Sequence, residues 1–407
     1  MSCVARILTV AVVSLTFAHA QTFTVLHSFT GGPDGKNPDT GVLDAAGNFY
    51  GTTQVGGSHS LGTVFKLAEK NSSWVLSVLY DFAGGNDGAA PRAGLAFGPD
   101  GSLYGATVNG GFTDCTAGCG TVYKLQPPLT FCHSVTCPWI ETVLFRFAAT
   151  DGAYPSSNVS FDPFGNMYGT TRGGGSSQNC SMYYGCGVVY ELTPAGGQWD
   201  VSVLYSFNGA GDGEYPSAGV ARDNSGDLFG TSAGPGNYGS VYELSPFGQG
   251  YNKAVIYQFQ GMSDGYDPIG LIIDSAGNLY GATGYGGSGS GGVVYELSPT
   301  NNFSFDLLYG LSSGNPHAQG PEARLTMDSA GNLYGTTLQG GLNGEGSVFR
   351  LTPGIGSWTY TSLHDFTGGS DGGEPGSRVL LDSQGNVYGT AQIGGLYNYG
   401  VAFKISQ

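Results

Sequence analysis

The chain has 407 residues and a formal charge of −16, from 30 Asp and Glu against 14 Lys and Arg. That balance disfavours nucleic acid and anionic membrane surfaces as partners. Aromatic residues reach 13% where charged residues reach only 11%, and glycine supplies 73 positions; the chain is too apolar for disorder and must turn often.

Arg6 precedes an apolar run from Ile7 to Phe17, and Ala18-His19-Ala20 forms a small-x-small cleavage site before Gln21. Residues 1–20 therefore read as a secretory signal peptide, and residues 21–407 as the mature domain. Cys3 lies upstream of the apolar run, which argues against lipidation there. No later segment approaches the roughly 20 apolar residues of a membrane helix, so no membrane insertion is expected. The expected location is secreted or extracellular, with the periplasm as the other destination.

After a strand-like stretch from Phe23 to Phe29, the phrase Gly47-Asn48-Phe49-Tyr50-Gly51-Thr52-Thr53 appears, and it returns six times, around Tyr104, Tyr168, Phe229, Tyr280, Tyr334 and Tyr388. Repeats of 51–64 residues mean stacked supersecondary units. Within one unit, Val75–Phe82, Gly94–Phe97, Leu103–Val108 and Gly120–Leu125 carry strand formers, separated by Gly, Pro, Asn and Asp clusters. Nothing has helical periodicity. We label the strands A (Gly-Leu-Ala-Phe type), B (Tyr-Gly-Thr), C (Gly-x-Val-Tyr-x-Leu) and D (Val-Leu-Tyr-x-Phe). Seven units of four short strands predict an all-β, seven-bladed propeller forming one domain. The last unit stops after its C strand, Val401–Ile405, and its missing D strand is Phe23–Phe29; the termini should therefore close the ring.

The A–B turns begin with Asp44, Asp162, Asp223, Asp274, Asp328 and Asp382. A carboxylate there accepts backbone N–H bonds two residues on, so these six are expected to be structural. The same holds for the Asp-Gly pairs of the D–A crossovers, at Asp34, Asp87, Asp151, Asp212, Asp264 and Asp371. No Asp-x-Asp-x-Asp-Gly string occurs; calcium, completed by backbone carbonyls, is the one cofactor these crossovers could hold.

The units Gly270–Gly281 and Gly331–Leu351 carry Gly-x-Leu-x-x-Asp-x-x-Gly-Asn-Leu-Tyr-Gly, then Gly-Gly, then Gly-x-Val-Phe-x-Leu. This resembles the GloVer, or HAF-type, extracellular repeat of bacterial proteins, over essentially residues 22–407. The Asp-x-x-Gly-Asn-Leu-Tyr core is similar to the NHL-type blade. The resemblance implies a bacterial secreted protein and supports the propeller, but defines no activity.

Without Cys3, six cysteines remain in three close pairs, Cys115–Cys119, Cys132–Cys137 and Cys180–Cys186, for which local disulfides are expected. Zinc is the alternative, disfavoured by irregular spacing and the lack of accompanying histidines.

Function is sought where the units differ. The B–C loops and D–A crossovers emerge on one face, the crossover face. At the start of strand A the units carry Thr40, Gly94, Asn158, Gly219, Gly270, Arg324 and Arg378. Arg324 and Arg378, in adjacent blades, should face the channel there. Their simplest partners are Glu322, Glu374 or Asp371; otherwise an anionic ligand meets them. The sixth crossover departs from Asp-Gly and carries His317. His27 and His364 stand where other D strands have tyrosine and are expected to pack. No Gly-x-Ser-x-Gly elbow or phosphate loop stands out. The expectation is a monomeric, non-catalytic module for an extracellular glycan, peptide or cell-surface protein. The alternative is a carbohydrate-active hydrolase or lyase using Glu322 and Glu374, clamped by the arginines.

Overall fold

The computed structural model describes residues 21–128, 139–209, 211–216, 218–234, 238–248, 250–312 and 318–407. The expected leader, the Cys132–Cys137 pair and His317 lie outside them. Among the described residues, apart from two single-turn 3-10 segments, Gly85–Asp87 and Pro299–Asn301, the regular structure is all strand.

Seven antiparallel sheets form a ring. Blade 1 is ordered A (Lys36–Leu43), B (Phe49–Val55), C (Thr63–Lys70), D (Ser73–Asp81). Blades 2 to 5 repeat this order. In blade 6 strand A is split into Ala318–Pro321 and Thr326–Met327, both paired with Leu333–Gly340. Blade 7 closes as expected: Thr22–Ser28 pairs antiparallel with Val401–Ser406, from Thr22 opposite Ser406 to Ser28 opposite Val401. The C strand of blade 7 is thereby paired on both sides, and Thr22–Ser28 becomes the outer strand of its sheet, as D is in the other blades.

The repeat phrase encodes packing between strands. The aromatic of strand C is fully buried in every blade: Phe65, Tyr123, Tyr190, Tyr242, Tyr295, Phe349 and Phe403. Its ring tip lies on the glycine of the Tyr-Gly phrase in strand B. A Cβ at Gly51 would sit 2.5 Å from Phe65 Cζ, and one at Gly169 2.4 Å from Tyr190 Oη. Only glycine permits that approach. The buried residues group into clusters at the interfaces between successive blades. One joins Leu26, Phe29, Tyr388 and Ala402 of the seam to Phe49 and Phe65 of blade 1. The core is thus a ring of interblade clusters, and the channel at its centre is left to other uses.

A second contact ties each blade to the next. The proline opening each strand A packs on a glycine before strand C of the preceding blade. A Cβ on Gly62, Gly120 or Gly400 would lie 2.5 Å from the Cδ of Pro91, Pro155 or Pro38. The residue before each proline takes a positive φ: Asn37, Ala90, Tyr154, Tyr215, Asp267, Gly320 and Glu374, between 53° and 68°.

Candidate functional site at the mouth of the channel

The crossover face is built from the B–C loops and the D–A crossovers. Bridges Ala89–Asn109, Ala153–Gly173, Glu214–Ala233 and Gly373–Ile393 join the two on that face. The residues before the prolines are seated there by donating N–H to the neighbouring blade, as Tyr154 does to Cys119 O and Tyr215 to Cys186 O, both at 2.8 Å.

The turn aspartates are structural. Asp44 accepts from the N–H of Ala46 and Asn48, the Asn48 amide and the Tyr50 hydroxyl. Partial burial pushes its carboxyl up, but these bonds outweigh that and hold it below the usual range. The crossover aspartates do more than turn the chain. Each caps backbone N–H and most also accept from the D-strand Tyr or His seven residues earlier. Tyr80 donates to Asp87 at 2.6 Å and Tyr205 to Asp212 at 2.6 Å. His27 meets Asp34 at 2.9 Å and His364 meets Asp371 at 3.0 Å. In the second D strand Phe145 stands in place of tyrosine, Asp151 loses this donor, and burial pushes its carboxyl up to about 6. The pairing of Tyr or His with Asp at a fixed spacing is the sequence signal for this bond, and it shows only when the two positions are read together.

A cavity of about 400 Å³ opens on the crossover face at the channel. It is lined by Arg92, Arg172, Arg324 and Arg378, by Asp39, Asp267 and Glu322, and by Tyr215 and Tyr285. A second cavity, about 530 Å³, runs toward the A–B turns along the inner A strands. Four of the eight arginines in a chain of charge −16 thus meet at one place, and no lysine does. Sequence reasoning finds Arg324 and Arg378 but misses Arg92 and Arg172, which occupy unrelated repeat positions.

The expected salt bridges do not form. Among the described residues neither Arg324 nor Arg378 lies within 4 Å of a carboxylate. Asp371 is engaged by His364 and Thr367. Glu374 is exposed and outside the cavity lining. Glu322 lines the cavity, and its carboxyl is pushed up by burial and by the charges of Asp267 and Glu374, against Arg92. Arg378 Nη2 donates to Gly41 O at 3.1 Å while its Nε has no partner. Burial, then the charge of Arg324, pulls Arg378 down to about 10, and burial also lowers Arg324. At about 10, Arg378 stays cationic at neutral pH.

Asp39, unnoticed in the sequence, is 8% exposed at the seam. It accepts from Gln54 Nε2 and Ser377 Oγ, both at 2.9 Å, and Gln54 in turn accepts from Arg92 Nε at 2.8 Å. Burial pushes its carboxyl up to about 6, against these bonds and the charge of Arg92. Burial also raises Asp267, against Arg172.

Two of the expected disulfides are present, Cys115–Cys119 and Cys180–Cys186, each within a B–C loop. The Tyr184 hydroxyl reaches Thr116, linking the two loops. Glu214 Oε2 lies 2.7 Å from Cys180 Sγ. Cys180, Cys186 and Glu214 are the one cluster of metal-ligand type among the described residues, and the disulfide occupies its sulfurs. In the loops of the crossover face stand Tyr184, Tyr238, Tyr266, Tyr285, Tyr397 and Tyr399, each at least 39% exposed, and of these Tyr285 lines the cavity. Tyr266 and Tyr285 stack at 5.3 Å, and Arg172 lies 4.7 Å over the Tyr183 ring.

The molecule is therefore a tandem-repeat β-propeller with its polar cavity on one face. The chain belongs to the Gloeobacter/Verrucomicrobia repeat family, whose model matches residues 9–231, 135–316 and 304–407. No curated protein matches the sequence. Similar solved structures include the extracellular domain of a protein assigned as a hybrid two component system from B. thetaiotaomicron; identity is 13%, TM-score 0.56, with 96% of this chain and 43% of that chain covered. A protein assigned as a glucose dehydrogenase-type oxidoreductase from Thermus thermophilus shares 14% identity, TM-score 0.47, covering 95% of this chain and 100% of that one. A luciferin-regenerating enzyme shares 13% identity, TM-score 0.44, covering 95% and 96%. At 13% identity the likeness to the extracellular domain is one of fold alone, and fold leaves function to the site.

Proposed function

We propose that the protein is an exported recognition module that takes a glycan, peptide or cell-surface partner on its crossover face, without catalysis. The observation that carries this reading is the clustering on that face of the six exposed tyrosines and of the arginine-lined cavity. Exposed aromatic rings with polar tips suit an interface that is apolar on one side and wet on the other. The two disulfide-bonded loops accord with an oxidising compartment.

The test is a glycan and peptide array probed with residues 21–407, with and without calcium, followed by Tyr266→Ala and Tyr285→Ala. Binding that is lost in the tyrosine variants supports the reading; binding that survives both places the interface elsewhere. Calcium dependence would assign a cation to the crossovers.

A carbohydrate-active enzyme is the second reading, favoured by the raised carboxyls of Asp39, Asp267 and Glu322 around one cavity, since glycosidase acids need raised pKa values. Release of reducing ends from a polysaccharide panel, abolished by Glu322→Gln, would establish it. Release unchanged in that variant would remove it.

A further inference from the structure

Three side chains line both cavities: Asn158 of blade 3, Arg324 of blade 6 and Arg378 of blade 7. They mark the waist of the channel. In the repeat, other units place Gly94, Gly219 and Gly270 at the equivalent position, so the blade has no structural need for a long side chain there. A Cβ on Gly270 would lie 3.3 Å from Arg324 Cβ, which locates that arginine against the neighbouring inner strand.

The waist presents donors. Arg324 has no hydrogen bond or ion pair among the described residues. Arg378 uses one Nη2 bond and leaves Nε buried without a partner. Asn158 Oδ1 accepts the Gly94 N–H at 3.0 Å, which turns its amide NH₂ toward donation. Two like charges held in a protein-walled channel without a carboxylate are costly unless an anion joins them. Guanidinium forks match planar oxyanions bidentately, which lysine does not.

We propose that the waist binds the carboxylate of a small, singly charged organic acid, held by Arg324 and Arg378 with Asn158 as third donor. Single charge follows from the path. The vestibule sets Asp39, Asp267 and Glu322 against four arginines, and the whole chain carries −16. A polyanion or dianion meets that field more unfavourably than a monoanion. Tyr215 and Tyr285 line the same vestibule and offer ring faces to the body of the acid. This rests on the recognition reading only for the face from which the ligand enters.

The experiment is isothermal titration of residues 21–407 with glucuronate, acetate, glucose and sulfate at neutral pH and constant ionic strength. Glucuronate should bind with one site per chain and glucose should not. Arg324→Gln with Arg378→Gln should weaken glucuronate by about tenfold or more, the loss of charge-assisted hydrogen bonds. Absence of carboxylate binding, sulfate binding in preference to both carboxylates, or equal binding of glucose would overturn the proposal. If the double variant does not fold, phenylglyoxal labelling of the unaltered protein decides. Glucuronate should then protect Arg324 and leave Arg146 reactive, and equal labelling of Arg324 with and without glucuronate refutes the site. An array ligand that binds the double variant unchanged would sink the waist site while leaving the recognition module standing.

Discussion

Replacing Asp39 by asparagine should change how stability depends on pH, by an amount the structure sets. Asp39 is buried at the seam between blades 7 and 1, where its two oxygens accept from Ser377 and Gln54. Burial raises its carboxyl from 3.8 to about 6. The folded state thus holds the proton more tightly than the unfolded chain. This contribution to stability is fully present below the unfolded value and is lost as pH rises through about 6. Integrated between about pH 4.5 and about pH 7.5, the loss is about 2 kcal/mol. The asparagine amide cannot ionise, still accepts from Gln54, and meets a Ser377 hydroxyl able to turn and accept. Urea unfolding of both proteins at the two pH values is the assay. Every other titrating group cancels in the comparison. Asp39→Asn should therefore gain about 2 kcal/mol on the parent between the acid and neutral measurements. Parallel pH profiles for the two proteins would show that Asp39 titrates normally and that the seam is wetter than the structure implies.

Three further outcomes are expected. Phe29, fully buried with its ring 5.1 Å from Phe65, should cost about 3–5 kcal/mol as Phe29→Ala, read by denaturant unfolding; a loss near zero would mean that the N-terminal strand is dispensable to closure. Gly400→Ala, at φ 97° with a Cβ 2.5 Å from Pro38 Cδ, should lose about 3 kcal/mol, while Gly47→Ala, at φ 79° with nothing within 4 Å, should lose about 1 kcal/mol; equal losses would dismiss the interblade proline contact. Tyr242→Phe removes a buried hydroxyl with no partner among the described residues and should be neutral or stabilising by up to about 1 kcal/mol; marked destabilisation would reveal a bond to that hydroxyl.

Much of the frame is readable because it is written seven times. Strand order, blade number and the two described disulfides depend on local spacing, which survives in sequence, and the seam follows from the one strand that the last unit lacks. The interblade terms do not. Asp39 meets Ser377 across 338 positions and Arg378 meets Gly41 across 337, so neither contact has a local signature. Arg92 follows Pro91 and Arg172 follows strand B, yet both reach the cavity of Arg324 and Arg378. Aligning the repeats superposes Arg324 and Arg378 but sets Arg92 and Arg172 at two other positions, and only the closed ring brings the four together. The expected partners Glu322, Glu374 and Asp371 follow from sequence proximity, whereas each arginine side chain runs into the channel rather than along its own crossover.

The positions before the seven prolines accord with the proposal that the crossover face takes a ligand. All seven hold a positive φ, a conformation that glycine adopts freely and that costs other residues about 1–3 kcal/mol. A ring selected for stability alone would carry glycine at each, as blade 6 does with Gly320. The other six carry Asn37, Ala90, Tyr154, Tyr215, Asp267 and Glu374, under one backbone geometry and with little chemistry in common. Of these, Tyr215 and Asp267 line the arginine cavity. The strain is therefore carried on the crossover face, while the opposite face closes on A–B turns that are Asp-led in six of the seven blades. Uniform chemistry on one face and varied, strained chemistry on the other is the pattern expected when the blades hold the ring and a single face meets the ligand.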